Sequence, residues 1–160
     1  MKTGNSGAAE PAAIQQRSRW MSTLARSSRV EIERVWEESS TAMAFSWLRK
    51  PHTGLVMIRG RAGGTGNPFN LGEMTVSRCA LQLPCGVVGH GYVQGRDHRH
   101  VELAAKLDAL LQREEQRESL LATVIEPLHE LQVRRRLERS RKAASTKVEF
   151  FTMVRGENSK

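Results

Sequence analysis

A pair of arginines, an amide and a carboxylate flank a glycine-rich segment in the first half of the chain. Arg59 and Arg61 precede this segment, and Asn70 and Glu73 follow it. Because side chains two apart on a strand project from one face, we expect both arginines to point the same way. Guanidinium groups hold phosphate or carboxylate oxygens, and glycine-rich backbone can add amide donors. The pattern predicts an anion-binding site, although a tight hairpin with surface salt bridges fits the same residues.

Three more arginines extend this set. Arg78 lies further along the next predicted strand, Arg96 follows a later strand, and Arg155 lies near the end of the sequence, where we expect it to anchor a C-terminal strand. The catalytic residues stay unknown, because no Ser-His-Asp order, paired-carboxylate spacing or Cys-His arrangement stands out. The candidate anion-binding or partner-binding residues are Arg59, Arg61, Asn70, Glu73, Arg78, Arg96 and Arg155.

The glycine-rich segment, Gly63-Gly64-Thr65-Gly66, does not match a known nucleotide-binding loop. It lacks the Gly-Lys-Ser/Thr ending of a P-loop, and a strand pattern rather than a helix pattern follows it. The dinucleotide fingerprint is excluded for the same reason. Chemistry at this segment is therefore expected to need residues of another protein.

Histidines and cysteines are too sparse to predict a metal centre. His98 and His100 fall at a predicted helix start, where side chains two apart diverge. Cys79 falls in a predicted strand and Cys85 in a turn, so we expect two free thiols in a reducing compartment. The sequence thus predicts no metal site and no cofactor of its own.

The chain is basic, with a formal net charge of +8. Part of this charge is concentrated between Arg134 and Lys142, where Glu138 is the single acid. A solvated helix face is the simplest interpretation of such a run, a partner surface with acidic groups is the second, and nucleic acid is the third. Aromatic residues do not interleave with these cations, which makes nucleic-acid binding the least favoured.

Hydrophobic spacing predicts how these residues are positioned. Apolar residues recur at helical spacing over 12–25, and Ser28 with Glu31 forms a capping-box pattern that opens a second helix. We expect Trp20 and Trp36 to anchor the packing of these helices. Strand patterns follow over 42–48, 55–61, 73–83 and 87–94, with turns at 51–54 and 84–86.

The strand predicted over 55–61 is apolar on both faces at its start, which favours a central position in the sheet. The short connections require antiparallel neighbours. After the sheet the pattern becomes helical, with Asp97 as a good N-cap. Residues 147–155 alternate again, and this last strand either completes the chain's own sheet or pairs with a partner.

These elements predict an α+β fold with two N-terminal helices, an antiparallel sheet of about four to five strands, a helical segment and a C-terminal strand. The 160 residues, 39% hydrophobic and 26% charged, fit one domain over 13–157 after a flexible arm over 1–12. The sequence has no secretory signal, and no window approaches the roughly 20 apolar residues of a membrane span. We therefore expect a cytoplasmic protein.

Motifs spread from about residue 15 to residue 157 resemble one family, the G subunit of the carbon–phosphorus lyase core complex of phosphonate degradation. Motifs in this order and spacing are strongly specific, whereas any one of them is weak. They are Arg19-Trp20-Met21, Thr53-Gly54-Leu55-Val56, Gly63-Gly64-Thr65-Gly66, Phe69, Thr75-Val76-Ser77-Arg78, Val93-Gln94-Gly95-Arg96-Asp97, Asp108-Ala109-Leu110 and Phe150-Phe151-Thr152-Met153-Val154-Arg155-Gly156.

The resemblance implies a hetero-oligomeric role. Members of the family work with the H, I and L subunits to displace adenine from ATP with an alkylphosphonate, which yields a ribose 1-phosphonate 5-triphosphate. The resemblance also implies that the I subunit carries the nucleosidase chemistry and that the J subunit of the core complex cleaves the carbon–phosphorus bond. ATP is then a substrate of the complex. Two alternatives remain: a subunit that only docks the I subunit, and a basic nucleic-acid-binding module.

Overall fold

The computed structural model of the protein describes residues 9–37, 43–61 and 65–145. Its strands are β1 (Ser46–Gly60), β2 (Phe69–Gln82) and β3 (Val88–Gln94). Its helices are α1 (Ala9–Arg26), α2 (Arg29–Val35), α3 (His98–Leu111), α4 (Glu114–Leu120) and α5 (Glu126–Ser145). A π-helical turn over Leu121–Ile125 joins the last two helices. The predicted α+β class is confirmed, and the predicted C-terminal strand lies outside the described residues.

The described sheet is an antiparallel meander of three strands in the order β1-β2-β3, fewer strands than predicted. The strands predicted over 42–48 and 55–61 are one continuous strand, β1, and the turn predicted at 51–54 is wrong. Among the described strands the central one is β2 and β1 lies at the edge, so the predicted central position of the 55–61 segment is not found in the described sheet.

Pro51 explains why a turn pattern could belong to a strand. A proline removes a ladder donor, and an edge strand tolerates this where the missing N–H faces away from its neighbour. The pairing of β1 with β2 is irregular on both sides of Arg49, and the second irregularity, between Arg49 and His52, encloses the proline. The strand therefore bends at this point and continues.

The predicted starts of α2 and α3 are confirmed, whereas α1 begins at Ala9 rather than at residue 12. The Ser28 backbone N–H donates to Glu31 Oε2 at 2.8 Å, and the Glu31 N–H donates to Ser28 Oγ at 3.3 Å, which completes the capping box of α2. At the start of α3, the His100 N–H donates to Asp97 Oδ1 at 3.0 Å. These local hydrogen bonds fix the start of α2, which follows α1, and the start of α3, which follows the sheet.

Helix α3 is the centre of the fold. All its residues from His100 to Leu111 are buried except Glu102, which is half-buried. Two glycines of β3 allow α3 to lie close to the sheet, because a Cβ atom at Gly89 would stand 2.1 Å from the Ala105 carbonyl oxygen and one at Gly91 would stand 2.2 Å from that of Val101. The other helices cover the remaining side of α3 through Trp20, Leu24, Ile32, Trp36, Val124, Ile125 and Leu128.

The helical segment after α3 continues through Pro127, where the sequence pattern indicates an interruption. The π-helical turn comes directly before this proline, which cannot donate an N–H to the preceding turn. The basic stretch that follows lies on α5 and is exposed from Val133 to Ser145, as predicted. In the described parts of the chain, no helix combines the length and the apolar character that crossing a membrane requires.

Candidate functional site

The distal part of the β1–β2 hairpin extends beyond the layer of helices. The first turn of α3 contacts the sheet at Thr53, whose Oγ1 lies 2.9 Å from His98 Nε2 and 3.0 Å from Ser77 Oγ. Further along the same face, Leu55 and Met57 are 62% and 55% exposed. We call residues 55–61 and 69–75 the hairpin arm. Its helix-facing side is uncovered in the described structure.

Apolar exposure continues on the second strand of the arm. Phe69 and Leu71 are 46% and 60% exposed. Ile58 pairs with Gly72, and the next residue of β1 pairs with Asn70, so Leu71 is an extra residue, a β-bulge. A two-stranded hairpin with exposed apolar side chains is marginal in water, which indicates a surface that is covered either by a part of the chain outside the described residues or by another chain.

The arm carries four of the predicted anion-binding or partner-binding residues. Arg59 pairs directly with Asn70, so their side chains share a face, and Glu73 pairs with Met57. Arg61 is exposed and follows the last residue of β1, so strand alternation does not set its direction. The arginines of the arm therefore lie beside apolar side chains, at the end farthest from the helices.

The remaining candidates are not gathered with them. Arg78 on β2 lies opposite His52 on the adjacent strand β1, and its Nε donates to His52 Nε2 at 2.8 Å. Asn70 and Arg78 are eight residues apart on β2, about 26 Å at about 3.3 Å per residue. Arg96 is exposed in the turn before α3. Residues 62–64 of the glycine-rich segment and Arg155 lie outside the described residues.

A buried carboxylate that belongs to a family motif but is not among the predicted site residues connects three elements. Asp108 of α3 is fully buried and accepts hydrogen bonds at 3.1 and 2.7 Å from Arg17 Nε and Nη2. Trp20 Nε1 donates to it at 2.9 Å, the backbone N–H of His90 at 2.9 Å and Gln112 Nε2 at 3.3 Å. The sequence signal that could have revealed Asp108 is the presence of a charged residue within the apolar stripe of α3. The network satisfies the carboxylate, so its role is to join α1, α3 and β3.

The histidines and cysteines are placed apart. His98 contacts Thr53, whereas His100 is buried and its Nε2 lies 2.9 Å from the Leu24 carbonyl oxygen, so the two rings diverge as predicted. Both cysteines are free thiols, as predicted, with Cys79 buried and Cys85 exposed. Burial raises the pKa of Cys79 to about 11, which keeps it a neutral thiol at physiological pH.

Comparison with known proteins agrees with the motifs that run along the whole chain. A family model described as phosphonate metabolism protein PhnG matches residues 15–156. The chain belongs to the PhnG family. The match includes the hairpin arm and the Asp108 network, so both are features of the part of the chain that PhnG proteins share.

A curated relative extends this finding. It is 44% identical over 154 residues, which covers 93% of this chain and 95% of the relative. That protein, from Rhizobium meliloti strain 1021, is named alpha-D-ribose 1-methylphosphonate 5-triphosphate synthase subunit PhnG. The family predicted from the sequence motifs is thereby confirmed.

Proposed function

We propose that this protein is a subunit of a complex that displaces adenine from ATP with an alkylphosphonate and forms a ribose 1-phosphonate 5-triphosphate. The observation that carries the proposal is the 44% identity to a synthase subunit over 93% of the chain. The proposed partners are the H, I and L subunits for the exchange reaction, and the J subunit within the core complex. The two free thiols are in keeping with a reducing, cytoplasmic location.

The hairpin arm supports the subunit role. A chain that works alone rarely leaves the helix-facing side of its own sheet uncovered, with Leu55 and Met57 more than half exposed. We propose that the I subunit covers this side. The arginines at the end of the arm then lie at or near the interface.

We propose that the chain is not catalytic alone. The fully buried carboxylate of Asp108 is satisfied by its hydrogen bonds and the buried Cys79 is a neutral thiol, so neither is an activated nucleophile. The arginines of the arm carry fixed positive charge, so their proposed roles are to hold an anionic substrate or a neighbouring subunit's loop. Arg78 could act in the same way from the sheet face.

The proposed reaction is tested by reconstitution. We expect purified H, I and L subunits with this chain to release adenine from ATP and methylphosphonate, and the same mixture without the chain to lose nearly all of that activity. Adenine release measured by chromatography checks this. Full activity without the chain would refute the proposed role.

Replacing Arg59 and Arg61 tests whether these arginines act in the reaction or in assembly of the complex. We expect the double variant Arg59→Ala/Arg61→Ala to lower adenine release by about tenfold or more in the intact complex, because a positioned cation stabilises charge on the substrate. Arg34→Ala, at an exposed arginine of α2, is the control and should leave the rate unchanged.

The alternative is a subunit that only docks its partner. In that case the same double variant lowers the yield of complex, whereas the rate per assembled complex equals that of the unmodified protein. Co-purification with the I subunit, measured beside the rate, distinguishes the two outcomes.

A further inference from the structure

A large cleft lies where α1, α2 and α5 meet, bordered by Gln94 at the end of β3 and by the start of α3. Its volume is about 1080 Å³, enough for a nucleotide-sized ligand. Six arginines and two carboxylates line it, and Ala25 and Val133 are the apolar residues among the described lining. The arginines are Arg19, Arg26, Arg29, Arg135, Arg136 and Arg139. We call this feature the arginine cleft.

The floor of the arginine cleft is held by hydrogen bonds. Gln132 Nε2 of α5 donates to the Thr23 carbonyl oxygen at 2.8 Å and to Ser27 Oγ at 2.9 Å, and both partners are buried. Ser27 Oγ in turn donates to the same carbonyl oxygen at 2.9 Å. These bonds join the end of α1 to α5, so the two walls that carry the arginines keep a fixed separation.

Three of the arginines have acidic partners. Arg135 pairs with Glu31, and Arg19 Nη2 lies 3.1 Å from Glu126 Oε1. Burial acts to raise the pKa of Glu31, but its bonds with Ser28 and Arg135 hold the pKa below the ordinary value, so the partner of Arg135 is ionised. Arg29 makes longer contacts, at 3.7 and 3.9 Å, with two carboxylates.

The other three arginines supply the uncompensated charge. Arg26, Arg136 and Arg139 form no ion pair with any carboxylate of the described residues. They come from α1 and α5, both of which line the cleft, and Arg139 Nε also donates to the Arg135 carbonyl oxygen at 3.4 Å. A compact ligand with several negative charges would neutralise these three positive charges and accept hydrogen bonds from the planar guanidinium groups.

We propose that the arginine cleft binds an oligophosphate, the chemical class to which the triphosphate of the proposed substrate belongs. Phosphate oxygens match guanidinium groups in pairs, and arginine is the most frequent residue type in the lining. Identifying the natural ligand as a nucleoside triphosphate rests on the proposed function, whereas the binding of inorganic triphosphate to this cleft does not.

The test is a titration of the full chain with inorganic triphosphate by isothermal calorimetry. At about 0.15 M salt, charges more than about 8 Å apart are screened, so generic attraction is weakened. We expect Arg136→Gln/Arg139→Gln to raise the Kd by about tenfold or more, because each lost charge-assisted bond is strong. Arg134→Gln/Arg141→Gln removes the same charge from the face of α5 that does not line the cleft, and should change the Kd by less than about twofold.

Three results would overturn the proposal. If both double variants weaken binding equally, the attraction is generic and comes from the net charge. If neither does, triphosphate binds elsewhere or not at all. If the cleft variant binds as before but loses complex yield, an acidic segment of a partner protein occupies the cleft. Thermal unfolding of all variants shows whether each is folded. Because the titration measures binding and not activity, a failure of the triphosphate proposal leaves the reconstitution test of the proposed function unaffected.

Discussion

We expect Asp108→Ala to lower the free energy of unfolding by about 3–5 kcal/mol, because several donors lose their acceptor at about 1–3 kcal/mol for each one that stays buried. The substitution leaves Arg17, the Trp20 ring N–H and the backbone N–H of His90 without their acceptor inside the fold. The Trp20 ring N–H is buried and the His90 N–H bonds to the buried carboxylate, so these donors are left unsatisfied, whereas the Arg17 side chain, 33% exposed, keeps access to water. Urea-induced unfolding followed by circular dichroism measures the loss.

Two further variants make this result specific. Asp108→Asn preserves the volume but turns one acceptor into a donor that faces other donors, so most of the loss should persist. Glu126→Ala breaks an exposed pair with Arg19, whose side chain is 58% exposed, and should cost no more than about 1 kcal/mol. Equal losses for Asp108→Ala and Glu126→Ala would show that the buried network does not hold α1 on α3.

The hairpin arm gives the second large effect, on assembly rather than on folding. We expect Leu55→Asp/Met57→Asp to weaken association with the I subunit by about a hundredfold or more. Each apolar side chain contributes about 1.5–3 kcal/mol when it is buried, and two of them together correspond to at least that factor. Co-purification and titration with the I subunit measure the change.

A matched control separates this surface from apolar exposure in general. Val30 and Leu137 are 65% and 49% exposed on helices, and Val30→Asp/Leu137→Asp should leave association unchanged. The arm variant should also unfold at the same urea concentration as the unmodified chain, because its side chains are exposed in the isolated subunit. Equal association of both double variants with the I subunit would contradict docking through the arm.

Features set by neighbouring residues could be predicted from the sequence. The capping box at Ser28 and the N-cap at Asp97 each need a bond across three residues, and such bonds form wherever the helix starts. The turn at Pro84 to Gly86 is of the same kind, and the Gly86 N–H donates to the Leu83 carbonyl oxygen at 2.8 Å. Family motifs added the identity of the chain, which local patterns could not provide.

Features set by distant residues could not be predicted in this way. Arg17 and Asp108 meet across 91 positions, and nothing local marks them as partners. Pro51 has no backbone N–H to donate, so the sequence around it indicated a turn. Whether a strand can continue past the proline depends on its pairing with β2, which the local sequence does not specify. The apolar segment 55–61 resembled a central strand because an exposed apolar strand and a buried strand have similar compositions. The basic stretch of α5 became a cleft wall only once α1 and α2 were placed against it.

The uncovered hairpin arm also bears on how a cell can supply this protein. A chain made in excess of its partners presents an edge strand beside exposed Leu55, Met57 and Leu71, the kind of surface that pairs with other unfolded or unassembled chains. Chaperones and proteases remove such molecules continuously. The amount that persists would then be set by the supply of the partner rather than by the rate of its own synthesis, which favours production of the subunits in matched quantities.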